Sequence, residues 1–517
     1  MPVRLRSGPH VWVVAALLSI GAAGCGLLSL RGRPPASHPL QRGQSEPIAL
    51  TSTRPTRESL RASLADANVV ICVVDAARAD HVHCYGYPRE TTPNIDRLAG
   101  EALVFEQHFS QYPHTKPSTA SLFTGQYPDT HLIFGQRTIT RSKFTMARGL
   151  KAAGFETGFF SSSRMASPAM GMGADFDWIY ARGVGPARSG PRGRGAPRDL
   201  FGARESVSGR SPEALLPYVR DWLRRHRDRR LFAYIHFMPP HQPYRAPEEM
   251  RRIFADKKPP YAWQGGFEFA QARPPKNPRA TPPLHEWVNL YDAELRWADW
   301  AVGEVEKLLR ENRLLEKTLF VVTSDHGEAL GEHGYVYHVH AVYEEAVHVP
   351  LLFRFPMEAE LVGRVGALTQ SVDLLPTIFE LLGVRYPQAS VQGRSLVPLI
   401  VGETEKVNDF VFARSESPLA SYLVRDRRWA LILYEDGELR ALYDLEADPW
   451  QSRNVIEAEP DAAAELIGAF REFARVQRLP PLCFVDADVQ MAPAPGAPEV
   501  EMSDETRREL RALGYLD

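Results

Sequence analysis

One segment of the chain has the sequence expected of a loop that leads into a short helix and places a side-chain hydroxyl at the start of that helix. It covers residues 113–125, in which Pro117 suits the first helical position and Gly125 suits the helix end. A helix N-terminus has unpaired N–H groups and partial positive charge, so an oxygen held there carries negative charge more easily. Thr115 is therefore a candidate nucleophile. The alternative is that Thr115 or Ser118 only caps the helix.

Acidic residues follow two apolar runs elsewhere in the chain. Residues 68–75 form an unbroken apolar run that ends in Asp75, and residues 319–326 repeat the design with Asp325 and His326 at the end. Continuous apolar runs are typical of strands that are buried on both faces of a parallel sheet. Ligands bind beyond the carboxyl ends of such strands, so we expect these three side chains to meet there.

This group of side chains predicts one bound divalent metal ion. The four candidate ligands are Asp75, Thr115, Asp325 and His326. Three oxygens and one imidazole favour Zn²⁺ or Mn²⁺, with Ca²⁺ or Mg²⁺ as alternatives. Asp325 and His326 are adjacent, so both can reach the ion only from a loop beyond the strand, since side chains within a strand alternate between faces. Such an ion would activate the hydroxyl and hold an oxygen of the substrate.

Further basic side chains are candidates for contact with a transferred group. His241, which stands among prolines, and His340 could stabilise its oxygens or protonate the leaving oxygen, and Lys116 could contact an anionic oxygen. Solvated loop positions are the simpler interpretation of His333 and His338. A second metal ion held by some of these histidines is an open alternative.

The alternation of helical and apolar segments predicts an α/β fold, namely a doubly wound, mainly parallel sheet flanked by helices. We expect the catalytic domain at residues 66–405, a small C-terminal antiparallel α+β subdomain at 406–480 and a tail with a short helix at 481–517. Residues 182–204 are rich in Gly, Arg and Pro without an apolar period, which predicts an irregular loop.

The N-terminus predicts export. Basic residues precede an apolar run at residues 11–20, and small residues lead to Cys25, so residues 1–25 resemble a bacterial lipoprotein signal with Cys25 as the lipidated residue. An uncleaved anchor helix and free secretion are the alternatives. Residues 26–65 are expected to form a flexible tether. The protein would then lie at the periplasmic face of a bacterial membrane, attached by its lipid or anchor.

Charge and cysteine content limit the possible functions. A net charge of −2 over 517 residues gives no electrostatic case for binding nucleic acid. The four cysteines include no Cys-x-x-Cys pair, which argues against a thiolate metal site. Cys72 lies inside the first apolar run and is expected in the core. Cys84 and Cys483 could pair in an oxidising compartment, although their spacing does not require it.

Several motifs together resemble the sulfatase branch of the alkaline phosphatase superfamily. The matching segments are residues 74–80, 85–87, 91–98, 117–118, 122–125, 240–244, 324–328, 331–334, 340–345 and 442–449. They occur in the family's order between residues 68 and 454. The resemblance implies the fold described above, with a small antiparallel C-terminal subdomain, and a hydrolytic enzyme.

The sequence departs from the sulfatase pattern in four places. Sulfatases carry Cys or Ser, which is oxidised to formylglycine, where this chain has Thr115, and Arg where it has Thr119. Their paired Asp is reduced to Asp75 followed by Ala76, and residues 161–164 replace a Gly-Lys-Trp-His stretch. Threonine cannot yield formylglycine, because oxidation of its secondary alcohol gives a ketone. A threonine nucleophile is similar to that of the superfamily's phosphodiesterases and membrane phosphoethanolamine transferases.

We therefore expect an exported, metal-dependent hydrolase or transferase that acts on phosphate or sulfate esters through Thr115. One alternative is a sulfuric ester hydrolase that works without formylglycine. Another is an inactive surface lipoprotein that keeps the fold for binding glycans or lipids. The expected partners are a small-molecule, glycan or lipid ester as substrate, and the membrane through the N-terminal lipid or anchor.

Overall fold

The chain is built around one large β-sheet. The computed structural model describes residues 48–50, 54–134, 137–139, 143–181, 184–188, 211–255, 257–260, 284–334, 336–338, 342–359, 361–416, 421–434, 440–477 and 479. Within these residues a ten-stranded sheet is accompanied by a two-stranded hairpin and by a four-stranded sheet in the C-terminal part.

Sixteen strands occur in the described residues. They are β1 (Ile48–Leu50), β2 (Asn68–Val74), β3 (Leu103–Phe109), β4 (Glu156–Ser161), β5 (Trp178–Ala181), β6 (Val184–Arg188), β7 (Leu231–Phe237), β8 (Thr318–Thr323), β9 (Ala329–Leu330), β10 (Val336–Tyr337), β11 (Leu351–Arg354), β12 (Gly363–Gln370), β13 (Val411–Ser415), β14 (Ser421–Arg425), β15 (Trp429–Tyr434) and β16 (Arg440–Asp444). The large sheet has the strand order β1-β12-β3-β11-β8-β2-β7-β4-β5-β6.

The centre of the large sheet is parallel. Strands β8, β2, β7, β4 and β5 are neighbours that all run in the same direction, whereas β11 and β6 join as antiparallel strands. Every residue of β2, β7 and β8 is buried, which their continuous apolar sequences allow on both faces. The predicted mainly parallel sheet is confirmed. Its central strands end at one common edge, which is where we expected the site.

Helices cover both faces of this sheet. The α-helices of the described residues are α1 (Arg57–Ser63), α2 (Pro93–Ala99), α3 (Thr115–Thr124), α4 (Pro128–His131), α5 (Met146–Ala152), α6 (Pro212–His226), α7 (Glu248–Phe254), α8 (Leu284–Glu311), α9 (Glu344–Val347), α10 (Leu374–Leu381), α11 (Val397–Ile400) and α12 (Pro460–Gln477). Successive side chains of β2 point to opposite faces of the sheet and belong to two different cores. Ile71 lies in the core that includes α1, α3, α5 and α10, and Cys72 lies in the core that includes α2, α6 and α8. The doubly wound prediction and the core position of Cys72 are confirmed.

The C-terminal subdomain is an antiparallel meander of β13 to β16 with α12 on one face. Successive residues of its strands serve opposite faces. Tyr422 and Val424 pack with Phe470 of α12, whereas Leu423 packs with Phe109 at the end of β3. The small sheet therefore joins the part that carries the large sheet through an apolar interface, and the predicted antiparallel α+β subdomain is present.

Two local predictions were wrong. The tether expected at residues 26–65 does not extend to residue 65, because Ile48–Leu50 pairs with β12 and α1 buries Leu60 in the core. The loop expected at residues 182–204 contains Val184–Arg188, which pairs antiparallel with β5. Backbone pairing satisfies N–H and C=O groups without an apolar sequence period, so neither segment carried the pattern that we had looked for.

Other predictions fall on residues that lie outside the described part of the chain. These are the signal at residues 1–25 with Cys25, the partner Cys483 that we considered for Cys84, and the helix in the tail at residues 481–517. Among the helices of the described residues, none is long and apolar enough to cross a membrane.

Candidate active site

Thr115 occupies the first turn of α3 at the carboxyl edge of the sheet. We expected the helix to begin at Pro117, but it begins at Thr115, with His114 as the N-cap and a first helical hydrogen bond of 3.1 Å from Ser118 N to His114 O. The first N–H groups of a helix have no intrahelical partner, so a proline is tolerated anywhere in this turn. The Thr115 hydroxyl therefore lies within the positive end of the helix rather than before it.

The two carboxylates meet at this edge, as predicted. Asp75 directly follows β2, and Asp325 lies in the loop that follows β8; both side chains are buried. Asp325 Oδ1 accepts hydrogen bonds from Ala76 N at 3.1 Å and from His326 N at 3.0 Å. Ala76 adopts a positive φ of 60°, a strained conformation for a residue with a side chain, which aims its N–H at this carboxylate.

Thr115 is in contact with two of its three predicted partners. Its Oγ1 lies 3.2 Å from His326 Nε2 and 3.5 Å from Asp75 Oδ1. His326 Nδ1 donates to Gly327 O at 2.8 Å, and a carbonyl can only accept. In the neutral imidazole Nε2 therefore carries the lone pair, which points towards Thr115 Oγ1 and the carboxylates. It can accept a proton there or bind a metal ion.

His236, at the end of β7, is a member of the site that the sequence analysis missed. Its Nε2 lies 3.0 Å from Asp75 Oδ2 and 3.8 Å from Asp325 Oδ2. One ligand atom each from Asp75, His236 and Asp325 fall within 4.8 Å of one another, a spacing that suits a metal ion. The available signal was a histidine near the carboxyl end of an otherwise apolar strand. Burial lowers the pKa of His236 to about 4, with Asp325 opposing, so its imidazole is neutral.

The site has the chemistry of a cation site. Asp325 Oδ2 is buried and has no hydrogen bond among the described residues, although an isolated buried carboxylate oxygen is unfavourable. Burial and then the charge of Asp75 raise the pKa of Asp325 above its ordinary value. A divalent cation between these groups would compensate both effects. The residues that are present therefore fit the metal ion that we expected.

Further imidazoles surround His326. The rings of His241 and His338 lie 6.4 Å and 4.4 Å from its ring centroid, and the ring of His114 lies 6.2 Å from that of His338. We call His114, His241, His326 and His338 the histidine cluster. The interpretation of His338 as a solvated loop residue was wrong, because it is buried. His340 lies outside the described residues.

Lys116 is buried beside the nucleophile candidate. Only 1% of its surface is exposed, and burial lowers its pKa to about 8, with Glu416 opposing. A buried lysine at a helix N-terminus is unfavourable for stability, since the helix end already carries partial positive charge. Such a placement is typical of a residue kept for function, so contact between Lys116 and an anionic substrate oxygen stays a prediction.

Two contacts hold the loop that carries Asp325 and His326. Arg78, which is buried, pairs with Asp80 and Glu332 at 2.7 Å each and so ties the loop after β2 to the loop after β8. Gly327 lies against the backbone of α9, where an added Cβ would be 2.0 Å from Glu345 O. Packing and ion pairs thus explain the acidic residues and the glycine at these positions.

His333 was expected in solvent, but it is largely buried in a polar contact with the C-terminal part. Its Nδ1 lies 2.8 Å from Glu345 Oε1 and its Nε2 3.1 Å from Gln451 O, and its ring stacks on Tyr343 at 3.6 Å. A carboxylate and a carbonyl both accept, so both ring nitrogens donate and His333 is an imidazolium. Burial disfavours this charge, but Glu345 outweighs burial and raises the pKa of His333.

Comparison with known proteins places this geometry in a family. The family model described as Sulfatase matches residues 67–384, and the one described as N-sulphoglucosamine sulphohydrolase, C-terminal, matches residues 331–472. Arylsulfatase K of Xenopus laevis is 33% identical over 189 residues, which cover 34% of this chain and 35% of that protein. The match thus spans about a third of that relative's length.

Two further relatives are matched over most of their length. Choline-sulfatase of Rhizobium meliloti is 25% identical over 454 residues, which cover 75% of this chain and 82% of that protein. The crystal structure of the phosphonate monoester hydrolase of Agrobacterium radiobacter has a TM-score of 0.62 at 22% identity and covers 80% of this chain and 95% of that one. The likeness to the phosphonate monoester hydrolase shows that the two chains share a fold.

The sheet, the carboxylate pair at its edge and these matches place the chain in the alkaline phosphatase superfamily. Within that superfamily, the chain belongs to the sulfatase family of hydrolases, as the match over residues 67–384 shows.

We predict that the contact of His333 stabilises the fold only while the imidazole is charged. Because its folded pKa is raised, this stabilisation is complete below the unfolded pKa of about 6.5 and is lost as pH rises through the folded pKa. His333→Gln should therefore lower the free energy of unfolding by about 1–3 kcal/mol at acidic pH and by less at alkaline pH. Denaturant unfolding at the two pH values measures this. Glu345→Gln should abolish the same pH dependence, and an equal deficit at both pH values would contradict the assignment.

Proposed function

We propose that this enzyme cleaves a phosphate or phosphonate ester through a covalent intermediate on Thr115, with a bound divalent cation. The observation that carries the proposal is the placement of the Thr115 hydroxyl, at the N-terminus of α3, 3.5 Å from Asp75 Oδ1 and 3.2 Å from His326 Nε2. A hydroxyl needs a proton acceptor and nearby positive charge to act as a nucleophile, and both are in place. A helix-capping role alone does not explain this environment, because His114 is the cap.

The residues of the chain account for the first half of the reaction. Thr115 Oγ1 attacks phosphorus, a bond from Oγ1 to phosphorus forms, and the bond from phosphorus to the leaving oxygen breaks. The hydroxyl proton passes to Asp75 Oδ1, 3.5 Å from Oγ1, since His326 Nε2 is used as a metal ligand. The leaving oxygen takes a proton from the histidine cluster, in which His241 and His338 lie beside His326.

The second half removes the group from Thr115. Water, or an acceptor alcohol in a transferase, attacks phosphorus and gives its proton to the histidine that protonated the leaving oxygen. The bond from phosphorus to Oγ1 breaks as Asp75 returns the proton to Oγ1. A divalent cation held by Asp75, Thr115, Asp325 and His326 would supply positive charge that stabilises the threonine oxygen and a non-bridging oxygen of the ester. Lys116 adds a positive group beside the same oxygens.

Threonine chemistry is the reason for choosing phosphorus over sulfur. The hydrate of formylglycine has two hydroxyls, so after one is sulfated the other can expel sulfate by forming the aldehyde. Thr115 has a single hydroxyl and lacks that exit. Its ester must be resolved by attack on the transferred group itself, which is the ordinary course of phosphoryl transfer. A phosphonate monoester hydrolase among the structures of similar fold supports the same choice.

A second candidate function is hydrolysis of a sulfate ester by a formylglycine-free route. It is favoured by the relatives of similar sequence, which include a choline-sulfatase and the arylsulfatase K proteins. The inactive binding protein is less well supported, because a binding surface has no use for two buried carboxylates with oxygens within 4.8 Å of each other, one of which has no hydrogen bond among the described residues.

Export to the periplasmic face of a bacterial membrane is also part of the proposal. It is supported by the basic start, the apolar run and the small residues before Cys25. Mass spectrometry of the native N-terminus tests it. We expect a mature chain that begins with lipidated Cys25, whereas an intact Met1 would support the anchor helix instead.

We predict that Thr115→Ala lowers kcat/KM for the preferred phosphorus ester by about a thousandfold or more, because the attacking oxygen is lost. Thr115→Ser should retain part of the activity, since it keeps the hydroxyl but loses the methyl group that restricts its rotamer. A panel of phosphate monoesters, phosphate diesters, phosphonate esters and sulfate esters measures this with added Zn²⁺ or Mn²⁺.

The matched control for these variants is Thr124→Ala on the same helix, whose hydroxyl donates to Ala120 O and accepts from Gln126 N, both backbone groups. It should leave turnover near the wild-type value. An active Thr115→Ala enzyme, or faster cleavage of sulfate esters than of every phosphorus ester, would refute the proposed chemistry.

We predict that one divalent cation copurifies and that Asp325→Asn or His326→Ala removes it. Asparagine keeps the shape of Asp325 but loses the charge that attracts the ion. Elemental analysis of the folded variants measures the metal content. The matched control is Asp373→Asn, another buried carboxylate, which bonds Arg394 N and Asn408 instead. Full metal content in both site variants would show that the site is misplaced.

A further inference from the structure

The metal site has an imidazole where the sequence pattern has lost a carboxylate. Asp75 is followed by Ala76, whose methyl side chain cannot bind an ion. On the neighbouring strand β7, His236 pairs in register with Val73 of β2. This register brings His236 Nε2 to 3.0 Å from Asp75 Oδ2, and 3.8 Å from the unbonded Oδ2 of Asp325. The neighbouring strand thus supplies the ligand atom that the sequence lacks at residue 76.

The other ring nitrogen of His236 is held by a tyrosine. Tyr234 lies two residues earlier on β7 and so points to the same face of the sheet. Its Oη is 2.8 Å from His236 Nδ1. The phenol ring packs on Phe123 of α3 and on Phe159 of β4, at centroid distances of 4.7 Å and 5.4 Å. Tyr234 therefore fixes the direction of the His236 ring.

His236 can adopt two neutral tautomers between Tyr234 Oη at its Nδ1 and Asp75 at its Nε2. In one state Tyr234 Oη donates to Nδ1, and Nε2–H donates to Asp75. In the other state Nδ1–H donates to Tyr234 Oη, and the lone pair of Nε2 faces Asp75 and Asp325. The second state brings electron-rich atoms together, so it is stable only with a cation between them. Neither state changes the number of protons on the histidine and tyrosine pair.

The second state needs an acceptor for the Tyr234 proton, and Thr119 provides one. Thr119 Oγ1 is buried and interacts with the Tyr234 hydroxyl, and it has no other hydrogen-bond partner among the described residues. Thr119 and Phe123 are four residues apart on α3, so they face Tyr234 together. Thr119 can therefore accept a hydrogen bond from the Tyr234 hydroxyl, so that a chain of hydrogen bonds runs from Thr119 through Tyr234 to His236 at the metal site.

We propose that His236 is a ligand of the divalent cation and that Tyr234 and Thr119 hold it in the tautomer whose Nε2 binds metal. This inference rests on the metal site of the proposed function and adds a prediction of which metal ion that site prefers. With His236 and His326 the ion has two imidazoles besides its oxygens, a set that favours Zn²⁺ over Mg²⁺ or Ca²⁺. Tyr234 is a positioning residue, since it acts through His236.

X-ray absorption of the zinc-loaded wild-type enzyme tests the ligand directly. The proposal predicts two imidazoles around zinc, from His236 and His326. A single imidazole would overturn it. This measurement needs no variant, so it decides the question even if substitution of His236 prevents folding.

Zinc affinity of variants, measured by competition with a chelator, tests the role of each residue. We expect Tyr234→Phe, which keeps the ring, to weaken zinc binding by about 10–100-fold, and His236→Gln to weaken it more. The preference for Zn²⁺ over Mg²⁺ should fall in both. The matched controls are Tyr85→Phe and His108→Gln, which remove another buried hydroxyl and another buried strand imidazole, and both should bind zinc like wild type.

The outcomes separate this inference from the proposed function. If wild type binds zinc tightly and His236→Gln binds it equally well, the inference fails while the metal site of the proposed function stands. If the wild type holds no divalent cation at all, the proposed function and this inference fail together. An effect of Tyr85→Phe as large as that of Tyr234→Phe would show a general loss of packing and would overturn the role of Tyr234.

Discussion

The structure depends on the placement of two buried carboxylates, Asp75 and Asp325, next to each other at the carboxyl edge of a parallel sheet. Like charges removed from water repel strongly, and burial alone already disfavours each of them. The surrounding groups reduce this repulsion only partly, because Asp325 Oδ1 receives two backbone N–H donors while its Oδ2 receives none among the described residues. The remaining negative charge is what a cation and a reacting hydroxyl can use.

Several local features of the structure are explained by the need to place groups around these two carboxylates. The positive φ of Ala76 turns an N–H towards Asp325, and the hydroxyl of Ser118 donates to the Asp325 carbonyl, which joins α3 to the loop after β8. The N-terminus of α3 adds partial positive charge beside Thr115. Unfavourable features such as buried Lys116 gather at the same place. Such a site lowers the stability of the fold and is retained when it serves catalysis.

Much of the fold could be predicted from the sequence, because β2, β7 and β8 are continuous apolar runs and their direction fixes where Asp75, Asp325 and His326 meet. His236 could not be found in this way. It lies 161 residues from Asp75, and only the pairing of β7 with β2 brings the two together. The start of α3 was also missed, since a proline fits any position of the first turn and the cap is a histidine.

The central claim is that Thr115 forms a covalent bond to the transferred group, and direct observation of that bond is its sharpest test. The enzyme would be quenched in acid during turnover of its best phosphorus ester, digested, and mapped by high-resolution mass spectrometry, which distinguishes phosphoryl from sulfuryl groups. The account predicts a phosphorus-bearing group on Thr115, in the peptide that covers residues 113–125. Steady turnover without an adduct on Thr115 at any quench time, or with an adduct on another residue, would contradict it.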